Sequence, residues 1–171
     1  MPSTSPTQTA RRSQNERSRD TREKLLRAAV GVLLENGYAA TSITAVQERA
    51  GVGRGTVLHH FPARSELVVA ATASIVEQRI AATRAQVEAL APDADRIEAL
   101  VDLAWADLNS QPFLAALEVW VAARTDAELR AALLPHEQRL MQTTARTFVE
   151  VLTGYGVADA RTATLVEFTI D

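Results

Sequence analysis

With 171 residues, 47% of them hydrophobic, the chain can bury a core in one large domain or two small ones, and its composition excludes a disordered or fibrous protein. It has no cysteine, which excludes disulfides, thiolate nucleophiles and cysteine-based zinc or iron-sulfur sites, and its three histidines leave little else to bind a metal. The net charge of −3 hides a split: residues 1–64 carry ten Lys and Arg against five Asp and Glu, residues 65–171 eight against sixteen, so only the front half suits a polyanion.

No run approaches the roughly 18 apolar residues of a membrane helix, and the polar N-terminus lacks the apolar segment of a secretory signal, so a cytoplasmic protein with no membrane partner is expected. Residues 1–17, rich in Ser, Thr, Gln and Arg, read as a flexible basic arm. A first helix follows, with Asp20 and Glu23 at capping-box spacing, Leu25, Leu26, Ala29, Val32 and Leu33 on one side, and Asn36-Gly37 at its end. Residues 18–66 form the first predicted domain. From Ala63 onward long Ala, Leu and Val-rich helices are predicted, broken at Ala91-Pro92-Asp93, Ser110-Gln111-Pro112, Arg124-Thr125 and Gly154-Tyr155-Gly156. Thr125 and Glu128 make a second capping box, and Pro135 is expected to kink or end the helix that Thr125 opens. The fold class is therefore all-α, with residues 67–171 as a second helical domain.

The stretch from Thr41 to Phe61 reads as two short helices joined by a tight turn. Thr41 or Ser42 can cap the first, Gly51 can take the left-handed conformation that ends it, and Gly53 frees the start of the second. Val46, Ala50, Val52 and Val57 form the apolar seam between them. This is the pattern of a helix-turn-helix, whose second helix, about Arg54 to His60, is pushed outward where its first turn can enter a major groove.

Residues 21–67 resemble the N-terminal signature of the tetracycline-repressor (TetR) family. The matching residues are Thr21-Arg22, Ala28-Ala29, Gly37-Tyr38, Ala50-Gly51-Val52, Gly55-Thr56, His60-Phe61 and Leu67. Three positions depart from it: Leu58 replaces a frequent phosphate-binding tyrosine, Gln47 a small residue, and Gly53 a capping serine. The resemblance implies a regulator that binds double-stranded operator DNA as a homodimer and responds to a small-molecule effector. Arg54, Thr56 and His59 are the expected base-reading residues, Arg54 by a bidentate grip on guanine. Gly55 permits close approach of the backbone, and Thr44 can touch bases or phosphate. Arg64, His60, Thr41 and Arg22 are expected phosphate contacts, and the arm arginines add electrostatic or minor-groove affinity.

In the second domain Trp105, Phe113, Leu114, Leu117, Trp120, Met141 and Phe148 are the bulky residues among many alanines. Each can simply fill a bundle core, whereas as a group, seen through the resemblance, they imply an apolar effector site. Trp105, Phe113, Leu117, Trp120, Met141 and Phe148 are its expected lining. An enzyme is not expected, because no phosphate loop, HExxH motif or nucleophile with a base is present, and no cofactor or metal is predicted. The alternative is a DNA-binding protein of the same fold controlled by a protein partner. The resemblance further implies two C-terminal dimerisation helices. The sequence stops at Asp171 without a cap, which predicts a truncated end; a short member that pairs through the helix before Gly154 is the other reading.

Overall fold

A computed structural model describes the backbone of residues 6–91 and 95–136, with side chains over 15–91, 95 and 98–136. All regular structure among these residues is helical: α1 (Pro6–Ala40), α2 (Ile43–Ala50), α3 (Arg54–His60), α4 (Arg64–Glu88), α5 (Arg96–Leu108), α6 (Gln111–Ala122) and α7 (127–136). The chain divides into two compact units, Met1–Ala71 and Thr72–Asp171. Met141, Phe148, the Gly154 break and the expected C-terminal dimerisation helices lie outside the described residues.

Helix α1 starts at Pro6, within the stretch expected to be an arm. Asp20 and Glu23 are consequently mid-helix and do not form a capping box. Glu23 instead lies between Arg19 and Arg27 at helical spacing, 4.0 and 3.9 Å away, while the Thr21 hydroxyl donates back to the Arg17 carbonyl. The expected break at Asn36-Gly37 is present, because Gly37 leaves helical geometry at φ 77°, ψ 179°, a region that excludes most side chains.

The inward side of α1 carries Leu25, Ala28, Ala29, Val32 and Leu33, all buried, at the spacing of one helix face. Ile43, Val46, Ala50, Val57, Phe61, Leu67 and Val68 complete the core of the first unit. Each fully buried Leu or Val contributes on the order of 1.5 to 3 kcal/mol of transfer free energy, so this cluster holds α1, α2, α3 and the start of α4 in fixed relation.

In the second unit Asp95 caps α5 by accepting from the Glu98 N–H, and Ser110 caps α6 by accepting from the Phe113 N–H. Asp126, not Thr125, caps α7: its carboxylate accepts from the Leu129 N–H at 2.9 Å, and the Thr125 hydroxyl turns back to the Ala122 carbonyl. The inward face of α6 is built from small residues, Ala115, Ala116, Val119 and Ala123, whereas Leu114, Leu117 and Val121 lie exposed on other sides of the helix.

Candidate nucleic-acid interface

Ser42 begins the interface locally. Its side chain accepts from the Ala45 N–H at 3.1 Å, satisfying one free donor of the first turn of α2. Gly51 ends that helix at φ 61°, ψ 43°, and the Gly51 and Val52 N–H groups close back on the Glu48 and Gln47 carbonyls. After two further residues α3 starts at Arg54, where Gly53 holds the cap position with no side-chain hydrogen bond. Val46, Ala50 and Val57 are buried in the seam, as expected, with Val52 partly covered. Replacing a small residue by Gln47 has a visible consequence, since its Oε1 is buried without a hydrogen-bond partner.

The seam turns the other side of α3 outward. Arg54, Gly55 and His59 are exposed and Thr56 is half-buried, while Val57 behind them is fully buried. Among the described residues nothing lies within 4 Å of where a Cβ on Gly55 would stand, and its φ is not positive, so the described fold does not demand glycine there. On α2, Thr44 is exposed in the first turn.

A second basic group gathers at the end of α3. The Arg22 guanidinium from α1 lies 4.9 Å from the centroid of the buried Phe61 ring, and the rings of His59 and His60 meet edge-on at 5.1 Å. Burial, then the neighbouring His59 and Arg22, hold His60 below its ordinary 6.5. Bringing Arg22 beside His60 across 38 positions is the work of the tertiary structure.

Two expected contacts are placed otherwise. Thr41 is fully buried and its hydroxyl donates to the Gly37 carbonyl at 2.8 Å, so it cannot meet a phosphate; its helix-start position is taken by Ser42. Arg64, which opens α4, points back at the end of α1. Its Nε donates to the Thr41 carbonyl (2.7 Å), Nη1 to the Tyr38 hydroxyl (2.9 Å) and Nη2 to the Tyr38 carbonyl (2.6 Å), with the guanidinium 4.2 Å from the Tyr38 ring centroid.

Sequence reading also missed Arg49. It leaves α2, passes over Gly31 and pairs with Glu35 on α1. The partners are 14 positions apart on different helices, so no helical spacing announces them.

The expected effector lining is dispersed among the described residues. Trp105 is 69% exposed and Leu117 44% exposed, which corrects their placement as interior lining: the helical period turns both outward. Phe113 is half-buried beneath Arg79, whose guanidinium carbon is 4.9 Å from the ring centroid and which forms a two-pronged pair with Asp107. Trp120 is half-buried, and its indole N–H is enclosed without a hydrogen-bond partner among the described residues.

Residues 25–71 match the model of the bacterial regulatory proteins of the tetR family. The chain is 40% identical to the HTH-type transcriptional regulator CymR of Pseudomonas putida over 123 residues, 72% of this chain and 61% of that protein. It is 28% identical to the HTH-type transcriptional regulator BetI of Stenotrophomonas maltophilia over 134 residues, 77% of this chain and 68% of BetI. Among solved structures it resembles the multidrug binding protein EbrR complexed with imidazole, at 25% identity and a TM-score of 0.60, covering 86% of this chain and 79% of that one. A regulator from Streptomyces coelicolor A3(2), SCO7518, aligns at 25% identity and a TM-score of 0.61 over 88% of this chain and 84% of its own. The chain thus spans less than two thirds of CymR. The helix-turn-helix of α2 and α3 lies within residues 25–71, the segment that matches the tetR family of bacterial regulatory proteins.

Proposed function

We propose that the chain is a cytoplasmic transcriptional repressor whose α3 reads operator DNA. The observation that carries this reading is the division of α3 into a fully buried Val57 and an outward row of Arg54, Gly55 and His59 on the basic half of the chain. Arg54 and His59 reach base edges with Thr56, Gly55 lets the backbone approach, and Thr44, Arg22 and His60 meet the flanking phosphates. A homodimer presents two such helices to successive major grooves, one helical turn of about 34 Å apart.

The helices of the second unit, with Trp120 and Phe113, then answer to a small apolar or amphipathic effector that lowers DNA affinity. The ligand complex of the EbrR structure supports this half of the reading. By linkage, operator DNA weakens effector binding by the same factor. One observation favours a second reading, control by a protein partner: Val101, Trp105 and Leu108 on α5, at one-face spacing, are all exposed.

The direct test is selection of duplexes from a random-sequence library by the purified chain, followed by fluorescence-anisotropy titration of the best one. Enrichment of a sequence that Arg54→Ala no longer prefers supports the reading. Equal binding of selected and random duplexes by the unaltered chain would overturn it.

A further inference from the structure

A cation at the first residue of a helix is in the wrong place electrostatically, because the helix N-terminus is itself the positive end of the macrodipole. Arg64 occupies that position on α4. The structure shows what offsets the misplacement: the guanidinium reaches the other end of a different helix. Past the Gly37 break, the carbonyls of Tyr38 and Thr41 stand at the C-terminal end of α1, where cations are favoured. Arg64 donates one hydrogen bond to each of them, a third to the Tyr38 hydroxyl, and stacks on the Tyr38 ring. The planar fork of arginine can serve three acceptors and a ring face at once, which the single ammonium of lysine cannot.

The tied segments flank α3. The Tyr38 to Thr41 turn leads directly into the cap of α2, and Arg64 follows α3 after three residues. Tyr38 is fixed as well by the Thr41 N–H on its carbonyl, and the Thr41 hydroxyl is fixed on Gly37, so the anchor is itself rigid. Fastening the entry of α2 to the start of α4 sets the pose in which α3 is presented.

We infer that Arg64 is a positioning residue: it latches α4 to the end of α1 through Tyr38 and Thr41 and so holds the recognition helix in its reading pose, instead of gripping a phosphate. The inference rests on the DNA-binding reading above. A phosphate ligand and a latch differ in what they leave behind when altered. Removing a phosphate contact weakens selected and random DNA alike and reduces the steepness of the salt dependence by about 0.9. Breaking a latch blurs the pose of α3, which selected DNA feels and random DNA does not.

Arg64→Lys and Tyr38→Phe separate the two, because the first keeps the charge and the second keeps both charge and ring. The measurement uses the full chain, the best duplex that it enriches from a random-sequence library, and a random-sequence duplex, each titrated over a range of salt. The latch predicts that Arg64→Lys lowers affinity for the selected duplex by about tenfold while random-duplex affinity and the salt slope stay unchanged. Tyr38→Phe, which removes only the hydroxyl and keeps the ring, shows a smaller loss of the same kind. A selected-to-random affinity ratio that is unchanged in both variants overturns the latch. Failure of the unaltered chain to enrich any sequence overturns the DNA reading, and the inference with it.

Discussion

The Arg49 guanidinium crosses α1 at Gly31 and closes a two-pronged ion pair on Glu35, with both N–O distances at 2.6 Å. A Cβ on Gly31 would lie 2.5 to 2.7 Å from Nη2, Cζ and Nε of Arg49, so the glycine is the notch through which the side chain passes. The pair fixes α2 on α1 and thereby the base on which the helix-turn-helix stands.

Hydrogen bonding to Arg49 holds the Glu35 carboxyl below its ordinary 4.5. A carboxylate whose folded pKa is lowered adds stability that is present above the unfolded value and is lost as pH falls through the folded one. An NMR titration should therefore show Glu35 below the ordinary carboxylate value, returning to it in Arg49→Gln. Gly31→Ala should produce the same return, because the new methyl displaces the guanidinium. A Glu35 titration unchanged by both substitutions would show that the pair does not persist in solution.

Gly55 is a place where stability and function should part. With no neighbour within 4 Å and no positive φ, Gly55→Ala removes a helix-weakening residue and should stabilise the chain by about 0.5 to 1 kcal/mol. If α3 reads DNA as proposed, the same methyl would stand in the path of the DNA, so affinity for the selected duplex should fall. Thermal melts and anisotropy titrations of one variant check both signs.

Arg54→Ala should cost about 1 to 3 kcal/mol against a selected duplex and relax preference at one base position. The exposed, outward start of α3 is the reason. A uniform loss across all sequences would reassign Arg54 to phosphate.

His60 gives a pH signature with the same sign as Glu35, in a higher pH range. Its folded pKa lies below the unfolded 6.5, so the unfolded chain binds more protons, and stability declines as pH falls from 6.5 to the lowered value and then levels off. His60→Asn should remove that part of the decline in denaturant melts followed across this range. An identical pH profile in the variant would place the burden elsewhere.

The two tryptophans should differ in solution. Trp105 is 69% exposed and Trp120 has its indole N–H enclosed, so Trp105→Phe should leave emission that is blue-shifted and poorly quenched by acrylamide. Strong quenching of the remaining Trp120 would show that α6 is open to solvent at that position. Because Trp105 is solvent-exposed, its replacement should change stability by no more than about 0.5 kcal/mol.

What the sequence determined by itself is local or periodic. The apolar spacing of Leu25, Ala29, Val32 and Leu33 fixed the buried face of α1, and Ser42, Gly51 and Gly53 punctuated α2 and α3, because caps and left-handed turns are properties of a few neighbouring residues. The match of residues 21–67 to a family signature followed from the same local features and was enough to anticipate the family. Local signals also misled: Asp20 and Glu23 have capping spacing, yet a helix already under way runs through them. What only the tertiary structure decided is which charges face each other across elements. Thr41 and Arg64 both looked available to a phosphate, and the fold buries the first and turns the second onto Tyr38. Arg49 found Glu35 across Gly31, and Trp105 and Leu117, bulky enough to suggest an interior, were turned outward. A sequence states which side chains could serve a site, but long side chains reach partners through space, and the direction in which each one points is fixed only when the helices pack.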